Sequence, residues 1–119
     1  MTPFLAELTG TALLMIFGSG VVANVVLTGT KGNGSGWIVI TFGWAMGVFV
    51  GVYSTAAFSG AHLNPAVTLA LAMKSGDWSL LPLYLPAQFL GAMLGSGIVW
   101  LSYRQHFDQT TNPTLQLAV

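Results

Sequence analysis

Ser59-Gly60-Ala61-His62-Leu63-Asn64-Pro65 is a run of loop formers set inside an uncharged stretch, residues 32–73. How it is read decides the fold. Gly60 and its small neighbours interrupt an apolar span that runs from Trp37 to about Ala57. Asn64 suits the residue that precedes a helix, and Pro65 suits the first helical position, where its missing N–H costs nothing. After Pro65 only Ala66–Met73 precede the charge on Lys74. At about 1.5 Å per residue they reach roughly 12–14 Å, less than half of an apolar bilayer core. Residues 59–73 are therefore predicted to dip to mid-membrane and leave on the side they entered.

The remaining charges divide the rest of the chain. Glu7, Lys31, Lys74, Asp77, Arg104 and Asp108 leave residues 8–30 and 78–103 neutral, and each stretch suits one span of about 20 residues. Helices are expected at residues 4–27, 37–57 and 79–103, with a polar tail at 104–119. Lys31–Gly36 and Lys74–Asp77 serve as connectors. The first helix lacks the basic flank of a signal peptide and more spans follow it. Composition agrees: 54% of residues are hydrophobic and 5% charged, against about 25% charged in soluble domains. A net charge of zero excludes a nucleic-acid partner. The absence of cysteine excludes a disulfide framework and thiolate metal sites. The expected fold is all-α and integral to the membrane: three transmembrane helices plus one re-entrant half-helix, in a single domain over 1–119.

Irregular backbone at membrane depth survives only where protein buries it or water wets it. The loop therefore implies a cavity. A half-helix that starts there turns free N–H groups and the positive end of its dipole toward that cavity, favouring neutral dipolar solutes over cations. A passage or pocket for small neutral polar molecules follows. No pair of carboxylates, and no histidine beside an acid or nucleophile, is placed for catalysis, so no enzyme is expected. His62 lacks a second ligand and His106 sits in the tail, so no metal is expected, and passive passage needs no cofactor. Gln88, inside a span, needs a polar partner, and the re-entrant loop backbone is the expected one. Gly43, Gly47 and Gly51, like Ala87, Gly91 and Gly95, recur every four residues and let helices approach closely. Pro82 and Pro86 are expected to bend the last span. Trp37, Trp78 and Trp100 fit an interfacial belt. Trp44 lies roughly 10 Å deeper than Trp37, where it can face a passage or simply pack between helices.

The stretch 59–68 resembles the first Asn-Pro-Ala loop of the aquaporin and glycerol-facilitator family. Ala6-Glu7 with Gly10-Thr11, Trp44 with Gly47, and Gln88 with Gly91 resemble its helices one to three. The resemblance implies half of an inverted repeat in which two such loops meet at the centre of a pore, with four pores per assembly. It implies that Asn64, followed by Pro65 and Ala66, donates its amide to the permeating molecule. The carbonyls of Gly60, Ala61 and His62 would accept along the approach, and Leu63, Leu14 and Val48 would form the apolar wall. Glu7 would hold the loop by accepting its N–H groups. Trp44 falls at the outer selectivity filter, as in the glycerol-conducting branch. The implied function is facilitated diffusion of glycerol and other small polyols, with some water, through a multi-pass protein of the cell membrane.

The second loop, the arginine that follows it and the second filter aromatic have no counterpart here; Val67 follows Asn64-Pro65-Ala66. Three readings stand. The chain is the N-terminal half of a longer channel; or two copies pair in opposite orientations, which the sparse charges Lys31, Arg104 and Lys74 permit; or it is a non-conducting fragment or assembly partner of full-length subunits. A lone monomer is not expected to conduct.

Overall fold

The computed structural model describes all 119 residues. It contains helices and no strands: α1 (Pro3–Val26), α2 (Trp37–Ser59), α3 (Pro65–Ser75), α4 (Leu81–Gln109) and the short α5 (Pro113–Gln116). Three of them, α1, α2 and α4, are long and apolar enough to cross a membrane. The starts of α1 and α3 follow local chemistry. The Thr2 hydroxyl accepts the Leu5 N–H ahead of α1, and Asn64 caps α3 with Pro65 in its first turn. Gly60 closes α2 in the left-handed conformation, with its N–H on the Ala56 carbonyl. Between α3 and α4, the exposed Asp77 carboxylate accepts the Ser79 N–H at 2.9 Å. That bond holds its pKa below the ordinary carboxylate value.

α1 is the central element, packed on α2 along one side and on α4 along another, while α3 rests against α4. Missing side chains set these distances. A Cβ on Gly47 would sit 3.1 Å from the Leu14 carbonyl oxygen, and one on Gly51 2.9 Å from that of Gly10. Across the other seam, Gly91 abuts the Leu8 carbonyl, and a Cβ on Gly95 would meet the Ala12 carbonyl oxygen at 2.5 Å. Backbone thus lies on backbone at both crossings. Only 25 of the 119 residues are buried, which leaves most apolar side chains facing outward. On α2 these include Trp37, Ile38, Phe42, Phe49 and Tyr53. Such a surface is stable in lipid or against another chain, not in water.

Three helices have boundaries two or more residues from the sequence expectation. α2 continues to Ser59, because Gly60 and not the preceding small residues supplies the stop. α3 runs to Ser75, two residues past Met73, and ends at the left-handed Gly76. α4 begins at Leu81 and extends to Gln109, six residues beyond the expected end at 103. The expected polar tail is therefore largely structured. Tyr103 and Phe107 pack on the buried trio Ala23, Leu27 and Val99, so docking on α1 carries the helix through its polar sequence. The Thr110 hydroxyl accepts the Thr28 N–H at 2.9 Å. The Gln116 amide donates to the Phe107 and Thr110 carbonyls, folding α5 back.

Candidate functional site

Between the end of α2 and the start of α3 the chain has three successive demands: reverse direction, satisfy its N–H groups, and start a helix. Ala61 and Leu63 adopt φ of 51° and 52°, left-handed values that cost a non-glycine residue roughly 1 kcal/mol or more each. A buried carboxylate offsets that cost. Glu7, on α1, is fully buried. Its Oε1 accepts the Ser59 hydroxyl at 2.6 Å and the His62 N–H at 3.0 Å, and its Oε2 accepts the Leu63 N–H at 2.7 Å and the Gln88 amide at 2.8 Å. The Ala61 N–H goes to the Ser59 hydroxyl. The inward-facing donors of Ala61, His62 and Leu63 are thus all paired.

Their carbonyls are not. The oxygens of Gly60, Ala61 and His62 accept no hydrogen bond from the chain. Asn64 is divided in the same way: its Oδ1 caps the Ala66 N–H at 2.8 Å, while its Nδ2 donates to no protein atom. Gly60 and Asn64 are exposed, and Ala61 and His62 partly so. The loop therefore presents three free acceptors and one free donor within five residues, just ahead of the N-terminus of α3.

Behind the loop, Thr68 joins three elements. Its hydroxyl accepts the Gln88 amide at 2.9 Å, donates to the Asn64 carbonyl at 3.2 Å and lies 3.1 Å from His62 Nδ1. The Tyr84 hydroxyl donates to the Ser59 carbonyl at 2.7 Å, and its ring meets the His62 ring edge-on at 5.0 Å. Only Gln88 Oε1 in this cluster lacks a partner.

Farther along α1 and α2 a cavity of about 680 Å³ opens, lined by Trp44, Trp37, Ile40, Val22, Val25 and residues of the connector and of α5. Trp44 packs beside Val22, Val25 and Ile40 and across Gly18. It therefore both fills a helix seam and lines the cavity. Val48, one turn deeper, is exposed, and Leu14 on α1 is half-buried.

The model of the family described as Major intrinsic protein matches residues 1–118. The chain belongs to the major intrinsic protein family. It is 51% identical over its whole length to a probable glycerol uptake facilitator of Thermotoga maritima, covering 51% of that protein. To the glycerol uptake facilitator of Streptococcus pneumoniae it is 49% identical, over 94% of this chain and 48% of that one. The solved aquaglyceroporin of Plasmodium falciparum superposes with a TM-score of 0.79 at 37% identity, covering 89% of this chain and 43% of the other. The chain thus spans about half the length of the relatives it matches. As a major intrinsic protein with three apolar spans it is a multi-pass integral membrane protein, and its fold is half of an aquaporin-like helical bundle.

Two expected site residues sit differently in this major intrinsic protein. The Leu63 side chain is buried, wedged against Gly10 and Gly51 at the crossing of α1 and α2. The left-handed turn directs it inward, so it does not form an exposed wall with Leu14 and Val48. Gln88 bonds Glu7 and Thr68 rather than the loop backbone, because the loop donors are already taken and a carboxylate is the stronger acceptor. The sequence reading missed Tyr84, Thr68 and Ser59 as loop supports. A signal was available: Tyr84 and Gln88 stand four residues apart, on one face of the apolar first half of α4.

Proposed function

We propose that this chain supplies half of a membrane channel for facilitated diffusion of glycerol and other small neutral solutes, with some water. The observation that carries the reading is the polarity of residues 60–64. Every inward donor of Ala61, His62 and Leu63 is tied to Glu7 or Ser59, while three carbonyls and the Asn64 amide stay free. A polyol entering a membrane must replace the hydrogen bonds it held in water. Its hydroxyl protons would go to the Gly60, Ala61 and His62 carbonyls, and a hydroxyl oxygen to Asn64 Nδ2. Its carbon chain would lie along Val48, Leu14 and the Trp44 indole. Pro65 and Ala66 begin α3, whose positive dipole end disfavours cations at the same point. None of these steps needs a cofactor or makes or breaks a covalent bond, so the activity is transport and not catalysis.

In this reading the chain walls the passage on one side, so a complete pore needs a complementary half, either a second segment or another copy of this chain. Four such pores per assembly would match the resemblance noted above. By itself the chain is a non-conducting fragment or a partner of complete subunits. The test is stopped-flow glycerol uptake by proteoliposomes. One sample holds this chain together with the half of the Thermotoga maritima relative that it does not match; others hold either half alone. Uptake from the pair above both controls is expected, and a pair that both inserts and binds yet passes no glycerol refutes the channel.

A further inference from the structure

We infer that Gly18 is a specificity-determining spacer: its missing side chain sets how far the Trp44 indole stands into the mouth. The inference rests on the channel reading above. A Cβ built on Gly18 would lie 2.6 Å from Trp44 Cη2, with Cε3 and Cζ3 closer still. The six-membered part of the indole therefore lies directly on the α1 backbone. Carbon atoms pack at about 3.5–4.0 Å, so a methyl group at position 18 requires a shift of roughly 1 Å.

The helices cannot supply that shift. On α2 the residues flanking Trp44 are both clamped to α1: Gly43 would collide with Val21 at 2.5 Å, and Gly47 lies on the Leu14 carbonyl. Separating α1 from α2 would break both contacts and withdraw Gly51 from Gly10. The ring is the movable part. The ring also borders the cavity of about 680 Å³ that Trp37, Ile40 and Val25 line with it. The free direction for the indole is therefore into that cavity, which the channel reading takes as the mouth of the passage. Gly18→Ala should consequently narrow the passage while leaving Asn64, the free carbonyls and Glu7 untouched. A narrower mouth penalises a three-carbon polyol more than water. The crowding expected from one extra methyl lowers the glycerol-to-water permeability ratio by roughly tenfold.

The experiment has a structural arm and a transport arm. The whole chain is labelled with 5-fluorotryptophan, giving one fluorine resonance for each of its 4 tryptophans, and Trp44→Phe assigns the resonance of interest. Gly18→Ala should shift the Trp44 resonance and leave the other three in place. An unmoved Trp44 resonance overturns the inference whatever the chain transports. If Gly18→Ala unfolds the protein, Gly18→Ala with Trp44→Phe decides, because the smaller ring relieves the clash. Recovery of the fold supports the contact, and an equally unfolded double variant refutes it. In proteoliposomes containing the complementary half, Gly18→Ala should lose glycerol flux more than water flux, and added Trp44→Phe should restore the ratio. A shifted resonance with an unchanged ratio overturns the spacer role and leaves the channel standing. No glycerol flux from the unaltered pair sinks the channel reading itself.

Discussion

At the scale of single residues, the site depends on which groups are already satisfied. Glu7 accepts from four donors at zero exposure. Glu7→Ala strands all four, each unpaired buried group costing about 1–3 kcal/mol. Thermal unfolding in detergent should show a loss of about 3 kcal/mol or more, with Glu7→Gln between it and the parent. Asn64 allows a cleaner separation, since its two side-chain atoms have different tasks. Asn64→Asp keeps the oxygen that caps Ala66 and replaces the free donor with a charge. Stability should hold within about 0.5 kcal/mol, since aspartate caps as well as asparagine, while glycerol flux through a completed pore falls and cation leak rises. Equal flux from the two proteins would remove Asn64 from the conduction path. The start and the shortness of α3 were legible in the sequence, because Asn64-Pro65 marks a helix start and Lys74 and Asp77 leave few residues before the next connector. The inward turn of Leu63 was not. Side-chain direction there depends on two left-handed residues, Ala61 and Leu63, whose strain is affordable only because a carboxylate distant in sequence accepts the neighbouring N–H groups.

At the scale of helices, the spacing between elements is set by glycines facing carbonyl oxygens. Gly91 lies against Leu8 and Gly95 against Ala12, whereas Gly97, on the same helix, has nothing within 4 Å of a built Cβ. These positions form a matched experiment. Gly95→Ala should destabilise by about 1–3 kcal/mol, because backbone must separate to admit the methyl. Gly97→Ala should stabilise by about 0.5 kcal/mol through lower entropy of the unfolded chain. Melting curves of the two variants test this directly, and similar shifts in both would mean that packing against α1 does not govern α4. The glycine periodicity was readable from the sequence; the end of α4 was not. Arg104, Gln105, Asp108 and Gln109 resemble a tail in composition, yet Tyr103 and Phe107 find Ala23 and Leu27 only once α1 and α4 lie side by side.

At the scale of the whole molecule, the chain folds around α1 but encloses nothing. The free carbonyls and Asn64 lie between α2 and α3, on which Val48, Phe49, Val52, Val67 and Leu71 are exposed. Lipid cannot satisfy the free carbonyls, since hydrocarbon offers no donor, so they need water or a second polypeptide. In the channel reading, sealing the passage against lipid requires a second wall beside the one this chain supplies. The expectation for flux is therefore one of stoichiometry. Reconstituted alone at fewer than one chain per vesicle, the protein should admit glycerol no faster than empty liposomes. Crowding several copies into each vesicle should change the rate only if two copies can pair in opposite orientations, and the rate should then climb more steeply than protein content. Glycerol entry at single-copy dilution would mean that one chain closes its own path, contradicting a pore that needs a complementary half.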